Sequence, residues 1–224
     1  MSAAMRLSFQ ETPCCSGIRD NPRNSCRSIF CGYSDLTVRG MLEAEIKIMS
    51  PTTNDKLQFI FGRRSIRVYA PGEVDEAAIT RLLQAAMAAP SAVAKDPWRF
   101  VVVRKKETLA AIAAALPNGG MLATAPLGIV VCGDLDAAHD RQLSYLLQDC
   151  SAAIENLLLG AQVLGLGACW LGVHPREDRV RKLKEILQLP APVIPVACLS
   201  IGRPGEEKEP RTRFNRSYVH WEKW

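Results

Sequence analysis

The segment Arg63-Arg64-Ser65-Ile66-Arg67, called the Arg segment below, places three guanidinium groups and a hydroxyl within five residues. A guanidinium group pairs with two phosphate oxygens at once and keeps its charge at any physiological pH. A short basic run alone is more often a solvated surface, so the Arg segment has to be interpreted with the motifs that follow it. Together with those motifs, the Arg segment predicts a phosphate-binding site near the N-terminal end of a folded domain.

Glycine-rich, proline-rich and basic motifs follow the Arg segment along the chain. The run from Gly165 to Gly172 comes after a predicted helix and leads into a predicted strand, which is the reverse of the dinucleotide-binding fingerprint. The motifs are Ala89-Pro90-Ser91, Pro97-Trp98-Arg99-Phe100, Gly165 to Gly172, and Gly202-Arg203-Pro204 with Arg211 and Arg213 behind it. Taken together, from about residue 57 to residue 213, they resemble the FMN-dependent nitroreductase family.

The resemblance implies a fold, an assembly and an activity. The fold would be α+β, a nitroreductase-like three-layer sandwich with a mostly antiparallel central sheet flanked by helices. The assembly would be an obligate homodimer with FMN at the subunit interface. The activity would be ping-pong transfer of hydride from NADH or NADPH to a nitroaromatic, quinone or related electron-poor acceptor. Flavin N5 would carry the hydride, so no catalytic side chain is expected.

The resemblance also implies cofactor-binding residues. The Arg segment would hold the phosphate, ribityl chain and pyrimidine edge, and a second segment would reach the flavin from the partner subunit. Leu171 and Gly172 would supply backbone groups near flavin N5, and a C-terminal basic pair would close the phosphate site, with Lys208 as a substitute for either member. The expected set is Arg63, Arg64, Ser65, Arg67, Pro90, Ser91, Ala92, Asn118, Leu171, Gly172, Arg211 and Arg213.

Two positions depart from the family pattern. Ala94 stands where the family commonly has Asn, and Asp96 stands where it commonly has Gln. Asp96 is either a local cap or surface partner of Lys95 or Arg99, or a charge in the substrate pocket that disfavours anionic substrates. His174, just beyond Gly172, is the other substrate-pocket candidate, with a loop histidine as its alternative.

These departures leave other functions open. One alternative is a different reaction on the same fold, such as flavin destruction, reductive dehalogenation or ene reduction. The other is a non-catalytic flavin-binding protein. The histidines and carboxylates show no spacing typical of hydrolytic or metal sites, so no metal is expected.

Composition limits the domain organisation and the class of partner. The chain has 224 residues, 48% of them hydrophobic, which allows one substantial core over residues 51–224. Residues 1–50 lack sustained periodicity. We interpret them as an N-terminal tail that is either disordered or translated from a misassigned start codon. The net charge of +5 comes from scattered residues, which argues against a nucleic-acid partner. Without a long apolar run or a secretory signal, we expect a cytoplasmic protein with no membrane partner.

Hydrophobic periodicity predicts alternating helices and strands. The predicted helices are residues 76–89, 108–116, 140–164 and 178–189, and the predicted strands are 100–103, 127–132, 168–173 and 193–201. Asp75 is the predicted N-cap of the first of these helices. The segment 140–164 is apolar around much of its circumference, which indicates a central buried helix. Cys132, Cys150, Cys169 and Cys198 lie in apolar segments and are predicted to be buried free thiols.

Overall fold

The structure, a computed structural model of the chain, describes residues 57–224. The tail predicted for residues 1–50 lies outside the described residues. Within them, helices and strands alternate in the predicted order. The helices are α1 Gln58–Gly62, α2 Glu76–Met87, α3 Lys106–Ala115, α4 Leu143–Val163 and α5 Glu177–Leu187, and the strands are β1 Trp98–Val103, β2 Leu127–Asp134, β3 Gly167–Gly172 and β4 Val193–Gly202.

The strands form one sheet in the order β1-β2-β4-β3. Each neighbouring pair is antiparallel, with Val101 opposite Val130 in β1 and β2, and Trp170 opposite Leu199 in β3 and β4. The predicted mostly antiparallel sheet is therefore confirmed. Strand β3 lies at one edge of this sheet, so its outer side is available for pairing with another segment.

Helices cover both faces of the sheet. Strand β2 is buried on both faces, and its side chains alternate between two cores because successive residues of a strand point to opposite sides. Ile129 and Val131 pack with residues of α2 and α4, whereas Val130 and Cys132 pack with residues of α3 and α5. The chain thus folds as the predicted α+β three-layer sandwich.

The helix boundaries follow local capping chemistry. Asp75 caps α2 as predicted, since its carboxylate accepts a 2.6 Å hydrogen bond from the Ala78 amide. Helix α2 ends at Met87, two residues before the predicted end, and Pro90 follows in the loop. Hydrophobic periodicity places a helix end only to within a turn, because the terminal turn is fixed by backbone hydrogen bonds.

Helix α4 is the central helix that the sequence predicts. Its 21 residues include fully buried side chains such as Leu146, Ile154 and Leu157, which pack on the sheet. Other apolar side chains of the same helix are partly exposed, among them Leu143, Tyr145 and Val163. One side of α4 therefore belongs to the core, while part of its remaining apolar surface is uncovered in a single chain.

The four cysteines of the folded region are free and buried, as predicted. Burial raises the pKa of the Cys132, Cys150 and Cys198 thiols to about 12, because a thiolate loses its hydration in an apolar environment. These three side chains are therefore neutral thiols near neutral pH and act as small apolar core residues.

Candidate flavin-binding cavity

A cavity of about 780 Å³ lies along β3. This volume is within the range of roughly 300–1,000 Å³ that is usual for small-molecule sites. Its walls come from the Arg segment, the turn after α3, strand β3 and the first turn of α5. The predicted site residues among its lining are Arg67, Asn118, Leu171 and Gly172.

The Arg segment is held against the outer edge of β3. Ser65 forms a parallel bridge with Ala168, and the Ile66 amide donates a 3.0 Å hydrogen bond to the Ala168 carbonyl. Ile66 is buried, and Gly167 leaves room for it, since a side chain at Gly167 would approach Ile66 to 2.6 Å. Pairing and packing together fix the position of Arg67 at the cavity.

The three guanidinium groups of the Arg segment do not converge in one chain. Arg67 lines the cavity, whereas Arg64 donates to the backbone carbonyl of Glu209 beside a different hollow. Arg63 pairs with Glu155 of α4 at 3.3 Å. An extended backbone points alternate side chains in opposite directions, which separates Arg64 from Arg67.

The C-terminal segment, residues 203–224, places the cation Lys208 beside Ser65. Its ammonium group donates 2.8 Å hydrogen bonds to the Ser65 carbonyl and to the Glu206 carboxylate. The side chains of Arg211 and Arg213 are exposed and do not line the cavity, although the Arg211 amide bonds to the Phe61 carbonyl. Lys208, named as the substitute in the sequence prediction, is therefore the C-terminal cation beside the Arg segment in one chain.

Glu206 ties the C-terminal segment to the Arg segment. Its carboxylate accepts hydrogen bonds from the Arg67 amide at 2.6 Å, from the Val68 amide at 3.3 Å and from Lys208. Hydrogen bonds from Lys208 and from the Arg67 amide lower the pKa of this carboxyl group below its usual value. The backbone amides of residues 67–68 and the Lys208 ammonium thus hold one anion of the chain itself, the Glu206 carboxylate.

The charges at this end of the cavity also reach Cys169. Burial raises the pKa of the Cys169 thiol, and the positive charges of Arg67 and Lys208 partly oppose that rise. Both cations are therefore close enough to influence the same buried group on β3. The cavity end beside Cys169 is consequently electropositive, although Glu206 neutralises part of the charge.

The other end of the cavity is formed by the end of β3. Leu171 is buried, and Gly172 is exposed. A Cβ atom added at Gly172 would meet nothing within 4 Å, so the space above this residue is open. A flat ligand can therefore approach the backbone of Gly172 more closely than it could approach a residue with a side chain.

Arg179 of α5 is a lining residue that the sequence interpretation missed. It is half-buried, and its Nη1 atom donates a 2.9 Å hydrogen bond to the Gly172 carbonyl. Its neighbours Arg176, Arg181 and Lys182 give α5 several basic residues, so the sequence alone did not distinguish Arg179 from the solvated ones. Trp170 is 37% exposed and also lines the cavity.

The predicted contacts Pro90, Ser91 and Ala92 do not line this cavity in one chain. The loop from residue 90 to residue 96 is instead anchored on α4, where the Asp149 carboxylate accepts a 2.9 Å hydrogen bond from the Ala92 amide. Asp149 is buried, and its Oδ2 atom has no hydrogen-bond partner within the described chain. One buried carboxylate thus holds this loop in place.

Asp96 has a local role of the capping kind, with Ser91 as its partner in place of Lys95 or Arg99. Its carboxylate accepts a 2.5 Å hydrogen bond from the Ser91 hydroxyl, and its amide donates a 3.0 Å bond back to the same oxygen. Arg99 bonds to the backbone carbonyl of Asp96, while the Arg99 side chain pairs with Asp134. The carboxylate therefore closes its own loop.

The same loop contains left-handed backbone. Ala94 has a φ of 51°, and its neighbour Val93 has a φ of 52°. Asn tolerates this conformation better than other side-chain-bearing residues, because its short amide bonds locally. The Asn that is usual in the family at position 94 therefore fits the backbone better than the Ala of this chain.

His174 lies in a separate groove formed with α5, and its amide bonds to the Val196 carbonyl at 3.1 Å. In residues 57–224, no cluster of three or more potential metal ligands is present. None of the helices in this part of the chain combines the length and apolar character needed to cross a bilayer.

Comparison with known proteins assigns the chain to a family. The family model described as "Nitroreductase family" matches residues 60–119 and 113–203. A relative from Archaeoglobus fulgidus, provisionally named an NADH dehydrogenase/NAD(P)H nitroreductase, is 44% identical over 171 residues, covering 75% of this chain and 98% of its own length.

Two solved structures extend the similarity to three dimensions. A Parabacteroides distasonis protein with the same provisional name is 36% identical, with a TM-score of 0.72 over 76% of this chain and 99% of its own. A Desulfovibrio desulfuricans nitroreductase, provisionally named and solved in complex with FMN, is 29% identical, with a TM-score of 0.66 over 76% of this chain and 98% of its own. The chain belongs to the nitroreductase family.

Proposed function

We propose that this chain binds FMN along β3 and transfers hydride from NADH or NADPH to an electron-poor acceptor such as a nitroaromatic or a quinone. Membership of the nitroreductase family makes the chain an NAD(P)H-dependent flavin oxidoreductase. The observation that carries the proposal is the cavity itself, which joins an electropositive end at Arg67 to open backbone at Gly172.

The residues present fit an elongated ligand with an anionic end. Arg67 offers charge-assisted hydrogen bonds to a phosphate, and the Lys208 ammonium beside Ser65 adds positive charge. Leu171 and Gly172 lie further along β3 and offer apolar surface and an uncovered backbone. FMN has this combination of a phosphate and a flat ring system.

The chemistry supplied by bound FMN is acceptance of a hydride at N5 and its later delivery to a second molecule. The described residues that line the cavity include no His, Asp or Glu. Their role is accordingly to bind and orient the ligands and to keep the reacting face accessible. The two half-reactions would use the same face in turn, which is the basis of a ping-pong mechanism.

We also propose that the active form is a homodimer. The C-terminal segment exposes aromatic side chains, with Phe214 at 76%, Trp221 at 82% and Trp224 fully exposed. Apolar side chains of this size seldom remain exposed together unless they form an interface. Pro90, Ser91 and Ala92 would then contribute to the flavin site of the partner subunit.

A cytoplasmic location is the final part of this proposal. Buried thiols that remain reduced are typical of proteins in a reducing compartment, and Cys132, Cys150, Cys169 and Cys198 are all free. The tail at residues 1–50 is proposed to be separate from the catalytic domain.

Single-turnover kinetics test the proposed activity. The flavin-loaded protein should be reduced anaerobically by NADH or NADPH and should then be reoxidised by a quinone or a nitroaromatic compound. Steady-state data should give parallel double-reciprocal lines for nucleotide and acceptor. A flavin that neither nucleotide reduces would instead indicate a non-catalytic flavin protein, and rapid reduction without reoxidation by these acceptors would indicate another reaction on the same fold.

A further inference from the structure

The cavity lining has a second cationic group besides Arg67. Arg179 projects from the first turn of α5 into the lining and bonds to the carbonyl of Gly172. The Arg segment meets β3 in a parallel bridge between Ser65 and Ala168, which places Arg67 level with Trp170, two positions before Gly172. At about 3.3 Å per residue, this separation along the strand is roughly 7 Å. Arg67 and Arg179 therefore reach the cavity from two different elements, the Arg segment and α5.

Arg179 retains unused binding capacity. A guanidinium group has five N–H donors, and one Nη1 bond goes to the Gly172 carbonyl. No ion pair joins Arg179 to a carboxylate in residues 57–224, although Glu177 and Asp178 lie on the same turn of the helix. A half-buried guanidinium in a cavity lining without carboxylates is well suited to bind an incoming anion.

We propose that Arg179 determines specificity by binding an anionic group of the molecule that exchanges hydride with the flavin. The inference rests on the proposed function, in which FMN occupies the cavity along β3. The anionic group is a phosphate or a carboxylate, and it has two sources. It belongs either to the nucleotide, as the 2′-phosphate that distinguishes NADPH from NADH, or to a carboxylate-bearing acceptor.

The bond to Gly172 gives Arg179 a second, positioning role that the experiment has to separate from charge recognition. Arg179→Gln keeps an amide donor but removes the charge, and Arg179→Lys keeps the charge. Arg181→Gln is the matched control, since Arg181 is on the same helix but lines the separate groove beside His174. The flavin content of each purified variant reports any effect on FMN binding itself.

The test measures kcat/KM of the FMN-loaded variants with paired substrates. One arm compares NADPH with NADH, and the other compares 4-nitrobenzoate with 4-nitrobenzamide. In Arg179→Gln, we expect kcat/KM to fall by about tenfold for the member of one pair that carries the additional anionic group, NADPH or 4-nitrobenzoate, mainly through KM, because a charge-assisted bond is lost. The member without that group, NADH or 4-nitrobenzamide, should change little. Arg179→Lys should retain most of the discrimination, and Arg181→Gln should behave as the wild type.

The arm that responds identifies the source of the anion. Equal changes for the members with and without the additional anionic group, in both pairs, would overturn the proposal, because they would leave Arg179 only its role in positioning Gly172. Loss of FMN from Arg179→Gln would overturn it as well, by placing Arg179 in the cofactor site. Failure of the wild-type protein to be reduced by either nucleotide would instead refute the proposed function, so the two failures are distinguishable.

Discussion

The predicted cofactor contacts fall into two regions, and within one chain only the first of them lines the cavity. Arg67, Asn118, Leu171 and Gly172 meet at the cavity along β3. Pro90, Ser91 and Ala92 lie on a loop that is fixed to α4 by the buried Asp149 and is absent from the cavity lining. A sequence motif therefore identifies residues that belong to one kind of binding site. It does not tell whether a residue contributes to the site of its own chain or to that of a partner subunit.

The largest expected effect on FMN binding at the β3 region comes from filling the space above Gly172. Gly172→Val should weaken FMN binding by at least about 100-fold, since the added side chain enters the open space where the ring is proposed to lie. The backbone there is not left-handed, and a Cβ meets nothing within 4 Å, so the fold should be retained. Fluorescence titration with FMN and thermal unfolding of the apoprotein measure the two effects.

Gly172→Ala should weaken FMN binding less than Gly172→Val, because it adds only a methyl group. Unchanged FMN affinity in Gly172→Val would place the cofactor elsewhere and would remove the distinction between the two regions.

The next largest expected effect on FMN affinity comes from Arg67, and Arg64 provides the comparison. Arg67→Ala should weaken FMN binding by about tenfold or more, because a bond to a charged group contributes roughly 1.5–3 kcal/mol. Arg64→Ala should have a much smaller effect, since Arg64 bonds to the Glu209 carbonyl outside the cavity. Equilibrium dialysis of FMN against each variant gives the comparison, and the opposite ranking would contradict the arrangement of the Arg segment.

Asp149 tests how the second region is held. Asp149→Ala removes the acceptor for the buried Ala92 contact and should lower the free energy of unfolding by about 1–3 kcal/mol. Asp149→Asn keeps an acceptor oxygen and should cost less. Urea unfolding measures stability, and amide exchange at Ala92 reports the loop itself. If exchange at Ala92 does not accelerate in Asp149→Ala, the loop is held by other contacts.

Ala94 offers the smallest expected effect within the same loop. Ala94→Asn should raise the free energy of unfolding by about 1 kcal/mol, because Asn adopts the left-handed conformation at less cost. Ala94→Val, which introduces a β-branched residue into this conformation, should be destabilising. Urea unfolding of both variants checks the sign, and equal stability would show that the backbone at Ala94 adjusts without cost.

Much of this fold was predictable because its elements carry their own local signals. The apolar pattern of α4 and the cap at Asp75 depend on nearby residues, and both predictions are confirmed. The strand order depends on contacts between distant residues, such as Val130 with Cys198, so periodicity did not give it, and only the mostly antiparallel pairing was expected from the family resemblance. Element ends differ by a few residues for the same reason, since backbone bonds at the termini set them.

The site was predictable only in part. Gly172 and Arg67 belong to motifs with a fixed spacing, and the structure brings them to one cavity. Arg179 reaches the same cavity through the packing of α5, and a basic residue on an exposed helix gives no distinct sequence signal. The resemblance names Arg211 and Arg213 as the C-terminal phosphate ligands, with Lys208 as a substitute. Sequence alone did not show which of them lies beside the Arg segment, because the path of the C-terminal segment is set by the hydrogen bonds of Glu206.

The central claim is that the cavity along β3 holds a redox-active flavin. The most direct measurement is the visible absorption spectrum of the purified protein, recorded before and after anaerobic addition of NADPH and, separately, NADH. We predict a flavin spectrum that bleaches with at least one nucleotide. A colourless protein that takes up no added FMN would contradict the claim, and oxidised flavin that persists with both nucleotides would contradict the proposed reductase activity.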